Sequence, residues 1–324
     1  MTDPVAAGAI VAVTNAIVAV TKSLEEAEPD FIDLFSGAVL GAADAEVITL
    51  RSRTHLVVFA GAEGSGKTTV LAAIYERLNQ GPFAGFRFAG SRSLLGFEEI
   101  CHLNRLASGG AQPDTQRTRL TDETKYYHLT LRGTEPSAAR RDVLLSAMSG
   151  ELFRMAKDSS EDAERLAFLR RADTIVVLVD GERLANTLQR TSAQADAAEI
   201  LESLLDANMV GPNCQADIVF SKLDRIKAAG HAAEQFLAKT QEKFDTRFRA
   251  RVPHLAFRRI AARPAPSSGQ ENSDGGLAEA FASWTTSVSP SIQDEHQGVP
   301  APSRDAREFS KFGWRHFERT RRHS

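Results

Sequence analysis

Apolar residues along this chain fall into two alternating patterns. Short unbroken runs rich in β-branched and aromatic residues stand at Leu56-Val57-Val58-Phe59-Ala60, Thr174-Ile175-Val176-Val177-Leu178-Val179, Ala216-Asp217-Ile218-Val219-Phe220 and Leu255–Ile260. Such runs suit strands covered on both faces, as in a parallel sheet. Between them apolar residues return every three or four positions: Val70, Leu71, Ile74 and Leu78, then the segments Ala193–Leu205 and Ala232–Phe248. That spacing predicts amphipathic helices. Strands and helices alternating in this way predict a three-layer α/β fold with a mostly parallel sheet. Ligands of such sheets sit beyond the carboxyl ends of the strands, so the strand ends are where chemistry is to be sought.

Weaker patterns complete the outline. Tyr126–Arg132 alternates and Val143–Ser146 is a short run, with Gly133 and Pro136 between them, which predicts a hairpin. Phe83–Ala89 and Val47-Ile48-Thr49-Leu50 read as strands. Ile100, Leu103 and Leu106 mark a helix face, Leu166–Arg171 a helix end and Leu277–Trp284 a closing helix. The chain divides into a helical N-terminal lead-in over 1–50, the α/β domain over 51–288 and a tail over 289–324. Residues 83–125 form a long, polar, weakly periodic insertion, of the kind that is usually functional.

The apolar stretch Val5–Val20 is shorter than the about 20 residues of a spanning helix and has no basic residue before it, so a packed helix is expected there, not a membrane span or signal. The 324 residues carry a net charge of −3, which gives no global reason to expect nucleic acid. Only the tail Arg304–Ser324, basic and interleaved with Phe309, Phe312, Trp314 and Phe317, carries a local signal for an acidic partner or anionic surface. Cys101 and Cys214 have no metal-ligand spacing and are expected to be reduced thiols in a cytoplasmic protein.

The strongest chemistry follows the first buried run. In Gly61-Ala62-Glu63-Gly64-Ser65-Gly66-Lys67-Thr68-Thr69, residues Gly61, Gly66, Lys67 and Thr68 satisfy G-x-x-x-x-G-K-[ST] between a strand and a helix. Backbone N–H groups wrap a polyphosphate only where side chains do not hold the backbone away, which the three glycines ensure. Lys67 supplies a point charge to the outer phosphates, the Thr68 hydroxyl can ligate Mg²⁺, and the helix turns its positive end toward the anion.

Later strand ends address the base. After Phe220 comes Ser221-Lys222-Leu223-Asp224. Guanine offers two adjacent N–H donors that the Asp224 carboxylate can accept together, while the aliphatic part of Lys222 can cover the ring. After Ile260, Ala261 and Ala262 occupy a small-residue turn suited to presenting backbone N–H to the guanine oxygen.

On these residues, with Phe88–Phe97, Ser149-Gly150-Glu151 and Val177-Leu178-Val179-Asp180-Gly181-Glu182, the chain resembles phosphate-loop GTPases of the translation-factor and Ras-like class. It looks most like the second type of bacterial double-GTPase, found in phage-defence and conflict gene clusters, over roughly residues 50–285. The resemblance implies a GTP/GDP-binding switch using Mg²⁺. Gly150 would sense the γ-phosphate, Glu151 would orient water, and an effector-loop threonine, taken as Thr118 from Thr115, Thr118 and Thr121, would meet the metal. A partner protein would read the switch segments, and homo- or hetero-oligomers are open. Two departures stand out: Ala147 occupies the place of the family's D-x-x-G aspartate, and Ser221 that of Asn or Thr. The first points to the alternative of a nucleotide-binding scaffold with little turnover. An ATPase using Asp180 as its metal-associated acid is the other.

Overall fold

A seven-stranded sheet runs in the order β2-β3-β4-β1-β5-β6-β7 in this computed structural model, which describes residues 36–102, 124–135, 138–149, 167–263 and 275–286. At its centre is β1, Thr54–Gly61, buried along its whole length. It pairs in parallel with β4, Arg140–Ser149, and β5, Thr174–Val179; β6, Gln215–Phe220, and β7, Leu255–Arg259, continue the parallel series. The expected hairpin is present: β3, Tyr127–Gly133, lies antiparallel to β4, and β2, Phe86–Gly90, lies antiparallel to β3 on the sheet edge.

Because strand side chains alternate between faces, β1 feeds two cores. Val57 and Phe59 face α2, Lys67–Gln80, together with α3, Leu94–His102, and α8, Leu277–Trp284. Leu56, Val58 and Ala60 face the opposite layer, formed by α1, Ala42–Arg51, α5, Arg190–Asp206, and α7, His231–Phe248. Two short helices, α4, Gly181–Ala185, and α6, Leu223–Ala228, follow β5 and β6 directly. The expected three-layer, mostly parallel architecture is therefore found.

One local expectation is corrected. Val47–Leu50 is not a strand but part of α1, in which Ala45 and Ile48 face the core while Val47 and Leu50 are exposed. The β-branched run favoured a strand, but Asp44 accepts a hydrogen bond from the Gly41 N–H and so starts a helix whose buried positions recur at three-residue spacing. The lead-in helix thus belongs to the compact unit that begins at Gly37.

The buried acid inside one of the apolar runs is accounted for, midway along β6 in register with Val176. Asp217, fully buried in β6, accepts hydrogen bonds from Arg258 Nε at 2.6 Å and Trp284 Nε1 at 2.8 Å on one oxygen, and from Gln215 Nε2 at 2.7 Å on the other. A buried carboxylate survives only with such partners. The same contacts fix α8 to the sheet, where the Trp284 ring also meets Phe59 edge-on at 5.3 Å.

Candidate functional site

The link from β1 to α2 is shaped by backbone before any side chain acts. Gly64 and Gly66 have φ of 75° and 95°, a region that residues with a Cβ adopt at a cost, and Gly66 caps α2. This places Lys67, only 5% exposed, on the first position of the helix. Its Nζ donates to the carbonyls of Gly61 and Ala62, both at 2.9 Å. Burial pushes the ammonium down to about 8, and the neighbouring Glu63 charge only partly offsets it. A cation in this state is held by neutral dipoles of its own loop, and an anion would stabilise its charged form. Beside it the Ser65 hydroxyl is buried and makes no hydrogen bond among the described residues.

The carboxyl end of β6 is tied to this loop. Ser221 Oγ lies 2.8 Å from the Ser65 carbonyl and 3.1 Å from that of Val179, as a donor that spans from the base-reading element to the phosphate loop. The replacement of Asn or Thr by Ser therefore leaves a hydroxyl that still makes the link. Lys222 takes the left-handed conformation, φ 50°, and its Nζ donates to Asp180 Oδ2 at 3.1 Å and Glu182 Oε2 at 3.0 Å. Asp224, 12% exposed in the first turn of α6, faces a cavity of about 200 Å³. Gly66, Thr69, Val70, Lys222 and Ala262 line the same cavity, so three stretches far apart in sequence share one wall.

The two alanines of the last turn do not behave alike. Ala261 is buried and its N–H donates to the Gly275 carbonyl at 2.9 Å, which takes that amide away from any ligand. Ala262 is the member of the pair that reaches the cavity.

Asp180 ends β5 with both carboxylate oxygens engaged. Oδ1 accepts from the N–H groups of Glu182 and Arg183 and so caps α4, while Oδ2 holds Lys222. It is therefore not the open acid that an ATPase reading requires. Ala147, in register with Phe59, packs on the face of the sheet that carries α2. An acid at 147 would point toward the phosphate-loop helix, and alanine supplies no oxygen there. Thr68 stands in the first turn of α2, and among the described residues no cluster of three or more His, Cys, Asp or Glu side chains suited to a metal is present. Gly150, Glu151, Thr118 and its alternatives Thr115 and Thr121 lie outside the described residues. Among the described residues no helix is long and apolar enough to cross a membrane.

Charged residues that sequence reasoning assigned no role also reach the cavity, Glu182, Arg225 and Arg263. Glu182 stands three positions past the end of β5 with no spacing rule to mark it. Arg263 extends to Glu76 of α2, Nη2 to Oε2 2.8 Å, a contact across the fold that no local pattern announces.

Among solved structures, the chain is similar to the Ski7 GTPase-like domain of S. cerevisiae bound to GDP and inorganic phosphate, with 11% identity, a TM-score of 0.42 and coverage of 76% of this chain and 51% of that one. It is also similar to the Arl6 small GTPase from Trypanosoma brucei with a bound nucleotide analogue, with 13% identity, a TM-score of 0.36 and coverage of 72% and 99%. The chain spans about half the length of the Ski7 structure. No curated protein matches it in sequence. The family model described as Double-GTPase 2 matches residues 55–285, from the start of β1 to the end of α8, and the chain belongs to the Double-GTPase 2 family.

Proposed function

We propose that this chain binds guanine nucleotide between the phosphate loop and α6, and acts as a switch whose GTP turnover is slow. The observation that carries the reading is the place of Asp224: a nearly buried carboxylate on the wall of a cavity that runs up to Gly66 and across to Ala262. A carboxylate there accepts the paired N1–H and N2–H of guanine and repels the acceptor edge of adenine. Membership of a family described as double-GTPase supports the same choice.

On binding, the Lys67 ammonium exchanges two loop carbonyls for phosphate oxygens, a gain for a charge that burial otherwise disfavours. Slow turnover is inferred from Ala147, which brings no carboxylate to the face of the sheet that carries α2. The limiting form of this reading, a scaffold that binds nucleotide without hydrolysing it, rests on the same residue. The partner is proposed to be a protein of a bacterial conflict system, on the family resemblance alone.

The test is single-turnover hydrolysis of GTP with Mg²⁺, in the natural chain and in Ala147→Asp, beside equilibrium binding of GTP and ATP. The expected outcome is preference for GTP, slow hydrolysis in the natural chain and faster hydrolysis in the variant. ATP bound as tightly as GTP would overturn the guanine reading, and fast hydrolysis in the natural chain would overturn the slow one.

A further inference from the structure

Glu182 is exposed for more than half of its side chain, yet it is drawn onto the cavity wall by Lys222. Its Oε2 stands 3.0 Å from Lys222 Nζ, and the buried Asp180 Oδ2 stands 3.1 Å from the same nitrogen. One ammonium is thus gripped from two sides, by an acid locked as the cap of α4 and by an acid on the rim. The grip holds a residue whose backbone is already strained at φ 50° and whose neighbour Ser221 is tied to the phosphate loop. Gly181 makes the approach possible: a Cβ there would stand 2.0 Å from the Ser221 carbonyl.

Lysine has many rotamers, and fixing its stem along a wall costs conformational entropy before any ligand arrives. A pair of carboxylates that fixes the head also fixes the stem, which prepares an apolar strip for a flat ring to lie on. Salt bridges at such a rim are weak in stability and matter through the geometry they impose. The Glu182 carboxylate is held below the usual carboxylate range, first by its hydrogen bond from Lys222 and then by the lysine charge, in keeping with a formed pair.

From this geometry we infer that Glu182 is a positioning residue of the base site: through Lys222 it sets how long a guanine nucleotide stays bound. The inference rests on the guanine reading above and assigns the control of nucleotide release to a residue outside both the phosphate loop and the base-reading element. Glu182 is assigned no bond to the nucleotide. It acts by keeping the Lys222 stem in place.

The experiment is stopped-flow release of a fluorescent N-methylanthraniloyl-GDP from the 324-residue chain, for the natural protein, Glu182→Gln, Lys222→Met and the double variant. Loss of one rim ion pair is expected to speed release by about two- to fivefold in Glu182→Gln, with the melting temperature unchanged. Lys222→Met keeps an apolar stem without the charged head and is expected to speed release at least as much. In the double variant the Glu182 substitution is expected to add nothing, because its route of action is gone. Raising the salt concentration should speed release more in the natural chain than in Glu182→Gln, which lacks the exposed half of the grip.

Glu182→Asp serves as the conservative control: retaining the charge on a shorter arm, it is expected to recover part of the slow release. Unchanged release in Glu182→Gln, or an equal acceleration by it in the Lys222→Met background, overturns the inference while leaving the guanine site intact. A natural chain that holds no guanine nucleotide overturns the inference together with the reading beneath it.

Discussion

The two ends of this sheet bury the same kinds of residue and treat them in opposite ways. Where β1 begins, the buried polar groups are matched. His128 accepts the Arg92 N–H on Nδ1 and faces Asp142 with Nε2 at 3.1 Å, and Asp142 also takes the hydroxyls of Thr130 and Ser52. Midway along β6, Asp217 is held as fully, by Arg258, Trp284 and Gln215. Where β1 ends, Lys67 donates to loop carbonyls and the Ser65 hydroxyl has no partner among the described residues. The other buried hydroxyl in that condition, Ser146, lies within β4 and belongs to neither end. Saturated polar clusters hold a fold together; a desolvated cation with neutral partners is an incomplete site. His128 and Asp217 are structural by this test, whereas the phosphate loop buries a charge that an anion would stabilise.

Substitutions can break the comparison from either side. Lys67→Met should show the largest effect: losing charged hydrogen bonds to two phosphates, at about 1.5–3 kcal/mol each, should weaken nucleotide binding by at least about a hundredfold in a fluorescence titration. Its apo melting temperature should hold or rise, because a charge disfavoured by burial is replaced by an apolar stem. Asp217→Ala should do the reverse. Breaking a buried ion pair costs about 3–5 kcal/mol of stability, read by urea unfolding, while nucleotide affinity in the folded fraction stays unchanged. If Asp217→Ala weakened binding as much as Lys67→Met, the division between the saturated clusters and the phosphate loop would fail.

The smallest expected effect is in pH. Burial is the first cause that pushes His55 and His128 below their usual value of 6.5, against the raising influence of Asp173 and Asp142 respectively. The unfolded chain therefore takes up protons near pH 6.5 before the folded one does. Stability should be whole above that pH and decline as pH falls below it, by about 1 kcal/mol per pH unit for each histidine at most. Urea unfolding at pH 7.5 and 5.5 would measure this. A stability that rises on acidification would contradict the neutral, saturated state assigned to that end.

Much of this was legible from residue order, and the reasons differ by element. The buried strands and long amphipathic helices announce themselves because period and burial coincide, as in β5 and α7. The phosphate loop is legible because one short, contiguous motif carries the whole local geometry. The base site was legible in part: Asp224 could be found at a strand end, but the engagement of Ala261 with Gly275 depends on a segment that returns from beyond β7. Asp180 read as a candidate metal acid because it stands at a strand end; its cap of α4 is a local contact, but its hold on Lys222 is a tertiary contact across more than forty residues. For α1 the propensity of Val47-Ile48-Thr49 pointed the wrong way, and the Asp44 cap with core contacts at Ala45 and Ile48 prevailed.

Guanine recognition depends most on Asp224, and a change of one atom pair tests it. In Asp224→Asn the side chain offers one acceptor and one donor, a pattern that fits xanthine and not guanine. Calorimetric titration of the natural chain and this variant with GDP and with xanthosine diphosphate should show preference for GDP in the first, and a reversed preference in the second. The swing should be about 1–3 kcal/mol. Equal loss of both nucleotides, or GDP affinity untouched by the substitution, would contradict the claim that this cavity reads guanine.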